Sequence, residues 1–374
     1  MKFFLALLLV ILIVVAAAGA WLWVSLLQPY KDFPAEGVFV TVPRGASCRT
    51  VAGILEKDGV VRSALAFKLY CRRHPKRGLQ AGEYFFDREL TGRDVFWLLA
   101  NGKIYEKQFT VREGETMFDI ARELEAANFM SAADFLKAAA DPAPVLSIAP
   151  QAASLEGFLY PATYHFPRHP APADVIASMT GRFKEIWARI APSAVAGPDD
   201  DDEPGSHSGL SLVTLASLVE RETPLPDERR LVAGVFENRL RRRMLLQCDP
   251  TVIYALEREG KYRGSLTLSD LRVDSPYNTY RHQGLPPGPI GNPGEVSLRA
   301  AVAPAVTDYL YFVANARGGH FFSATLAEHN RNVQRYRRLL AGLPADPEPA
   351  PPAAPKRHPR RKTKAKNASL ESAR

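Results

Sequence analysis

From Phe3 to Gln28 the chain carries no charged side chain: FFLALLLVILIVVAAAGAWLWVSLLQ. At about 1.5 Å per helical residue, such a run exceeds the roughly 30 Å needed to cross a bilayer's hydrocarbon core. Trp21 and Trp23 stand toward its far end, where aromatic belts lie. Ala18-Gly19-Ala20 has the form of an A-x-A cleavage site, so a removable signal peptide is the competing reading. The apolar run continues past that point through Leu27, which favours an uncleaved membrane anchor over residues 1–30. Lys2 and the amino terminus narrowly outweigh Lys31, so the positive-inside rule leans toward a cytoplasmic N-terminus with almost the whole chain outside.

The 374 residues suggest about two to three domains, and 46% hydrophobic against 24% charged residues suffices for a sizeable core. The net charge of +8 is unevenly placed: seven of the eleven residues from Lys356 to Lys366 are lysine or arginine. They lie in a Pro/Ala-rich tail, 343–374, whose composition cannot build a core and is expected to be disordered. No aromatic-interleaved basic strand accompanies it, so nucleic acid is not an expected partner. Cys48, Cys71 and Cys248 include no C-x-x-C, and a Cys48–Cys71 pair is not expected without an oxidising compartment.

VTVPRGASCRTVAGILE (40–56) recurs as FTVREGETMFDIARELE (109–125), with Gly45/Gly114, Ser47/Thr116, Val51/Ile120 and Leu55/Leu124 at one offset. An apolar strand runs into a glycine turn, and a Ser/Thr cap then opens a helix with apolar residues at helical spacing. Each copy reads as strand–turn–helix. The pattern resembles LysM-like modules, which bind aminosugar polymers; two unrelated βα units would look similar. A returning strand is expected at 79–86, and a helix at 93–102 with Gly102 as its C′ stop. Helices are expected over 212–223 and 228–244, and another after an Asp249 N-cap with Pro250 at N1. The acidic loop 197–209 lacks a calcium-binding pattern, and the long Gly/Pro/Asn-rich segment 275–294 reads as a functional loop.

LASLVERET (215–223) ends an apolar helix with Glu220 and Glu222, about 160° apart on the wheel, so they cannot form a paired-carboxylate site. Glu222 lies over Leu218, Val219 and Leu215, whereas Glu220 lies over Ala216 and Ser217, which makes Glu222 the more desolvated. Burial and the negative end of the helix dipole both favour its protonated form, as suits a general acid. On pattern alone, ordinary salt bridges to Arg221, Arg229 or Arg230 account for both glutamates. Gln247, Tyr277, Asn278 and Tyr280 offer the amide and aromatic groups that a neutral sugar needs. His320 and His329 lack partners at ligand spacing and read as structural.

LEGFLYPATY, LASLVERET, VFENRL, LQCDPTVIY, SPYNTY, GLPPGPIGNPG and YLYFVANARGGHFF stand in this order. Together they resemble the endolytic murein transglycosylase (YceG-like) family over roughly residues 38 to 342. The resemblance implies an α+β chain: an N-terminal transmembrane helix, a LysM-like subdomain over 38–104 and an α+β catalytic domain over 105–342. It implies single-pass anchoring in the cytoplasmic membrane, with the catalytic domain on the periplasmic side. It also implies cleavage of peptidoglycan glycan strands to 1,6-anhydro-MurNAc ends, terminating nascent strands, with cell-wall synthesis enzymes as partners. Glu222 falls on the family's catalytic glutamate, with Glu220, Gln247, Tyr277 and Asn278 in the cleft. No metal or cofactor is implied. A non-catalytic wall-binding scaffold and a hydrolase are the alternatives.

Overall fold

The computed structural model describes residues 2–191 and 208–342; most of the acidic loop and the basic tail lie outside the described residues. It is a mixed α+β chain with one N-terminal apolar helix, α1 (Lys2–Leu27), which is long and apolar enough to cross a membrane. The foot of α1 touches the rest of the chain at Ser25, which is buried, and Tyr30 bridges Leu90 beyond it.

The strand–turn–helix repeat is longer in the structure than its sequence signature. The first copy runs β1 (Val38–Val42), α2 (Cys48–Lys57), α3 (Ala64–Arg73), β2 (Gly82–Phe86), and is followed by α4 (Gly92–Ala100). The second runs β3 (Lys107–Thr110), α5 (Met117–Ala126), α6 (Ala132–Ala139), β4 (Thr163–Phe166). In each, the outer strands pair antiparallel, Val40 opposite Tyr84 and Phe109 opposite Tyr164. Ser47 and Thr116 both cap their helices, Thr116 in a full capping box with Asp119. Gly102, with φ of +63°, follows the C-cap Asn101 of α4, a left-handed position that glycine adopts without strain.

Contrary to expectation, Cys48 and Cys71 form a disulfide, with Cα atoms 6.6 Å apart. The first turn of α2 and the last turn of α3 bring them together, a tertiary juxtaposition that residue spacing does not reveal.

The two copies have different surroundings. Val40, Val42, Val51, Leu55, Phe67, Tyr84, Phe86 and Leu99 belong to one apolar cluster confined to the first unit. Phe109, Ile120 and Leu124 belong to a larger one that continues through α7 (Pro172–Ile190), α8 (Gly209–Glu222), α9 (Pro226–Arg241), α10 (Asp249–Arg258) and α11 (Glu295–Val302). A β5 (Tyr311–Ala314)–β6 (His320–Ser323) hairpin and α12 (Leu326–Leu340) complete the chain.

α8 sits at the centre of this larger body. The wheel gave it a single apolar face, but it is buried all round from Leu212 to Val219, with Thr214 and Ser217 included. The two hydroxyls are satisfied locally: Thr214 donates to Leu210 O and Ser217 to Thr214 O, and Ser217 also accepts from Ile290 N.

Candidate active site

The two glutamates of α8 end in opposite circumstances. Glu220 meets Arg229 of α9 at 2.7 Å, with both side chains about 5% exposed or less (4% and 5%). It also accepts the Gly294 amide at 2.9 Å, while Glu113 approaches the same guanidinium at 3.3 Å. Burial raises its pKa, and the Gly294 amide and Arg229 oppose that rise. Glu220 therefore behaves as the salt-bridge reading anticipated, riveting α8 to α9 and to the start of α11.

Glu222 is the last residue of α8. Thr223 takes extended geometry (φ −140°, ψ 129°), as the residue before a proline tends to do. Among the described residues no ion pair forms with Glu222. The Cys248 thiol, fully enclosed and held protonated by burial, lies beside the Glu222 carboxyl. Burial pushes the Glu222 pKa up; Asp249 adds to this, while Cys248, His320 and Arg239 restrain it. The Arg239 guanidinium donates to Leu310 O at 2.7 Å and Leu246 O at 2.8 Å rather than pairing with Glu222. The residue as a whole is part-exposed, while its surroundings desolvate the carboxyl. A carboxyl whose pKa is raised by burial at a helix end suits a proton donor.

Four segments distant in sequence assemble around this carboxyl. Gln247 is exposed and held at φ +49°, a left-handed conformation unusual for a side-chain-bearing residue. It is pinned there because its own amide donates to Thr279 O and the next amide, Cys248 N, donates to Thr279 Oγ1 at 3.0 Å. Tyr280 points the same way and donates its hydroxyl to Asp249. That contact corrects the expected N-cap: Cys248 occupies the cap position without a side-chain bond, and Asp249 opens α10 as its first residue.

The other expected cleft residues are placed differently. Asn278 is fully buried, and its amide is consumed in shaping the loop, donating to Leu271 O and Val273 O while its oxygen accepts from Tyr280 N. It has no group left for a sugar. Tyr277 turns toward Tyr254, 5.0 Å between rings, with the Arg258 guanidinium 4.9 Å from its own. The neighbouring tyrosine in the same SPYNTY stretch, Tyr280, is the one that faces Glu222's surroundings.

Sequence reading missed several participants. Cys248 looked like an unpaired thiol, yet it acts on the Glu222 carboxyl, whereas His320 is held by Glu228. Glu156, the charge inside LEGFLYP, is buried and accepts from Met117 N, Tyr254 Oη and Asn292 Nδ2. Burial pushes its pKa to about 8. Its only signal was a carboxylate within an apolar run. Two surface grooves, of about 730 and 490 Å³, run along α7 and share Ala177 and Gly181; neither is lined by Glu222. The carboxyl's chemistry, not concavity, marks the candidate site.

Comparison with known proteins now bears on this arrangement. Residues 40–335 match the YceG-like family. The chain belongs to the YceG-like family. A curated relative from Bacillus subtilis, named endolytic murein transglycosylase, is 34% identical over 334 residues, covering 85% of this chain and 90% of that protein. A Streptococcus pneumoniae protein of the same name is 30% identical over 335 residues; the match covers 80% of this chain and 58% of the streptococcal one. The crystal structure of a putative yceG-like protein from Listeria monocytogenes superposes with a TM-score of 0.53 at 34% identity, covering 80% of this chain and 99% of that one. The YceG-like match takes in the first strand–helix–helix–strand unit from within β1, the whole second unit and every residue placed around Glu222.

Proposed function

We propose that this protein is an endolytic murein transglycosylase that cleaves peptidoglycan glycan strands with Glu222 as its single acid–base group. The observation that carries this reading is the division of labour on α8: Glu220 is bound to Arg229, whereas Glu222 has no ion pair among the described residues and burial raises its pKa. The curated relatives' shared name supplies the substrate class.

Glu222 protonates the glycosidic oxygen leaving C1 of a MurNAc residue, and the C1–O bond breaks. The resulting carboxylate takes the proton of that sugar's 6-hydroxyl as O6 bonds to C1. A 1,6-anhydro-MurNAc end results, and Glu222 is returned to its starting form. Because the nucleophile belongs to the substrate, no second carboxylate is needed, unlike in ordinary glycosidases. Gln247 and Tyr280 line the approach, Asn278 shapes the loop that carries Tyr280, and Tyr277 stands further along the same loop.

The apolar α1 anchors the enzyme in the cytoplasmic membrane with the remainder on its outer, periplasmic side. A Cys48–Cys71 disulfide supports that side, since disulfides persist in oxidising compartments. The first strand–helix–helix–strand unit acts as a LysM-like glycan-holding module. Cleavage close to the membrane ends nascent strands, alongside the enzymes that synthesise them. The test is Glu222→Gln and Glu220→Gln in the full-length chain, assayed on isolated glycan strands. The first variant is expected to lose activity by at least about 100-fold while staying folded, and the second to lose much less. Wild-type activity in Glu222→Gln overturns the assignment.

A further inference from the structure

The first strand–helix–helix–strand unit carries its charge unevenly, and the uneven part lies beside the foot of α1. Between Asp58 and Glu83 the chain has no acidic residue, while Arg62, Lys68, Arg72, Arg73, Lys76 and Arg77 all fall in that stretch. Among the described residues none of the six forms a salt bridge, and Glu83 turns to Arg168 at 3.8 Å instead. Within this stretch α3 spends one side on the core and leaves the other uncovered. Ala66 and Phe67 are buried, and Tyr70 meets the Phe96 ring edge-on at 5.1 Å. On the opposite side Lys68, Arg72, Leu65, Leu69 and Arg73 follow one another around the helix within about 140°. Leu65 is 57% exposed and Leu69 40%, and both arginines are exposed beside them. Leucines edged by cations on a free helix face are the pattern of a helix lying at a membrane surface.

The placement of α3 agrees with that pattern. Both α3 and α4 pack against α1, and the joint is close. A Cβ on Gly92 of α4 would stand 3.1 Å from Ser25 O, and Tyr30 and Leu90 exchange backbone hydrogen bonds at 3.0 and 3.4 Å. The Arg62 guanidinium lies 4.6 Å from the Tyr30 ring. Trp21 and Trp23, exposed on α1, mark the level of a membrane–water interface. Trp23 precedes the buried Ser25 by about 3 Å of helical rise, so a unit fixed at Ser25 meets the headgroups. The Cys48–Cys71 disulfide braces the last turn of α3, where Arg72 and Arg73 stand. We propose that α3 is a second membrane contact: Leu65 and Leu69 enter the headgroup layer while Arg72, Arg73, Lys76 and Arg77 bind the phosphates of anionic phospholipids. This rests on the reading of α1 as a membrane anchor. One spanning helix alone lets the first unit turn about its axis, and α3 holds one face of that unit to the bilayer. The contact orients rather than retains: two leucines and a few surface cations are too little to keep a chain lacking α1 on the membrane.

The test places the full-length protein in lipid nanodiscs, of phosphatidylcholine alone or enriched in phosphatidylglycerol. Phenylglyoxal modification of individual arginines is then followed by mass spectrometry. Arg72 and Arg73 are expected to react at least about five-fold more slowly in the anionic discs, and Arg331, exposed on α12, at the same rate in both. High salt should remove most of the difference, since headgroup attraction is screened. Leu65→Ser/Leu69→Ser is expected to lose about half of the protection or more. Equal rates at Arg72 and Arg73 in the two kinds of disc would overturn the proposal, as would equal slowing of Arg331, which would report only the reagent's response to an anionic surface. Protection that appears only on adding glycan strands would name the polymer as occupant and overturn it too. The comparison is made on the unaltered protein, so it does not depend on a variant folding. A protein that does not stay with the discs would sink the anchor reading itself, an outcome distinct from a disc-bound protein with unprotected arginines.

Discussion

Glu220 and Glu222 differ in what reaches them from elsewhere in the chain. Arg229 and the Gly294 amide arrive at Glu220, so removing its carboxylate leaves a guanidinium buried with only the longer Glu113 contact. Glu220→Ala is expected to lower stability by about 3 kcal/mol in urea unfolding, as loss of one partner of a buried pair does. Glu222 has no such pair, and its carboxyl is held against its solvation preference. Glu222→Gln is therefore expected to leave the urea midpoint unchanged or slightly raised while removing activity. A clear loss of stability would mean that Glu222 is a structural carboxylate. The helix wheel separated the two residues by local crowding alone. It could not show that Cys248 and Arg239 act on one and Arg229 on the other, because those interactions cross from 9 to 26 positions of sequence.

Among the elements, the turn between β3 and α5 is joined to α8's surroundings through Gly291 and Asn292. Gly114 N donates to Asn292 O, Asn292 N donates to Glu115 O, and Gly291, at φ +157°, lies so close to Gly114 O that a Cβ would stand 2.6 Å from it. Glu156 sits beneath this junction on three donors. Its pKa is raised from 4.5 to about 8 in the folded state, mainly by burial, so the native protein holds a proton that the unfolded chain releases. This contribution to stability is full below pH 4.5 and is lost as pH rises through about 8. Glu156→Gln should flatten that part of the stability–pH curve, measured by urea unfolding between those limits; an unchanged slope would place the pH dependence elsewhere. The repeated strand–turn–helix was legible because caps and apolar spacing are local. The closing strand β4 was not, since a long excursion separates it from α6. Asp249 misled for a related reason: the Tyr280 hydroxyl, 31 residues away, takes up the carboxylate that local chemistry assigned to a cap.

At the scale of the whole molecule, the residues around Glu222 all come from segments well beyond α1. Deleting residues 1–27 is therefore expected to release the protein from membranes on fractionation and leave cleavage of soluble glycan strands intact. A truncated chain that folds but cannot cleave would show that the anchor contributes to the site. The disulfide between α2 and α3 spans 23 residues, and reducing it is expected to cost the first unit about 3 kcal/mol, seen as a lower urea midpoint with reductant. The apolar helix α1 was legible from an unbroken apolar run and the YceG-like family from the order of its motifs. The disulfide was not, because it depends on where two helices meet. What unites these scales in the proposed mechanism is a single proton shuttled by Glu222 to and from one substrate. The most direct measurement is the mass of the terminal sugar on strands cut by the full-length wild-type protein. Anhydro-MurNAc ends, lighter by one water than a hydrolysed end and missing with Glu222→Gln, are expected; reducing MurNAc ends, or anhydro ends made equally well by Glu222→Gln, would contradict the assignment.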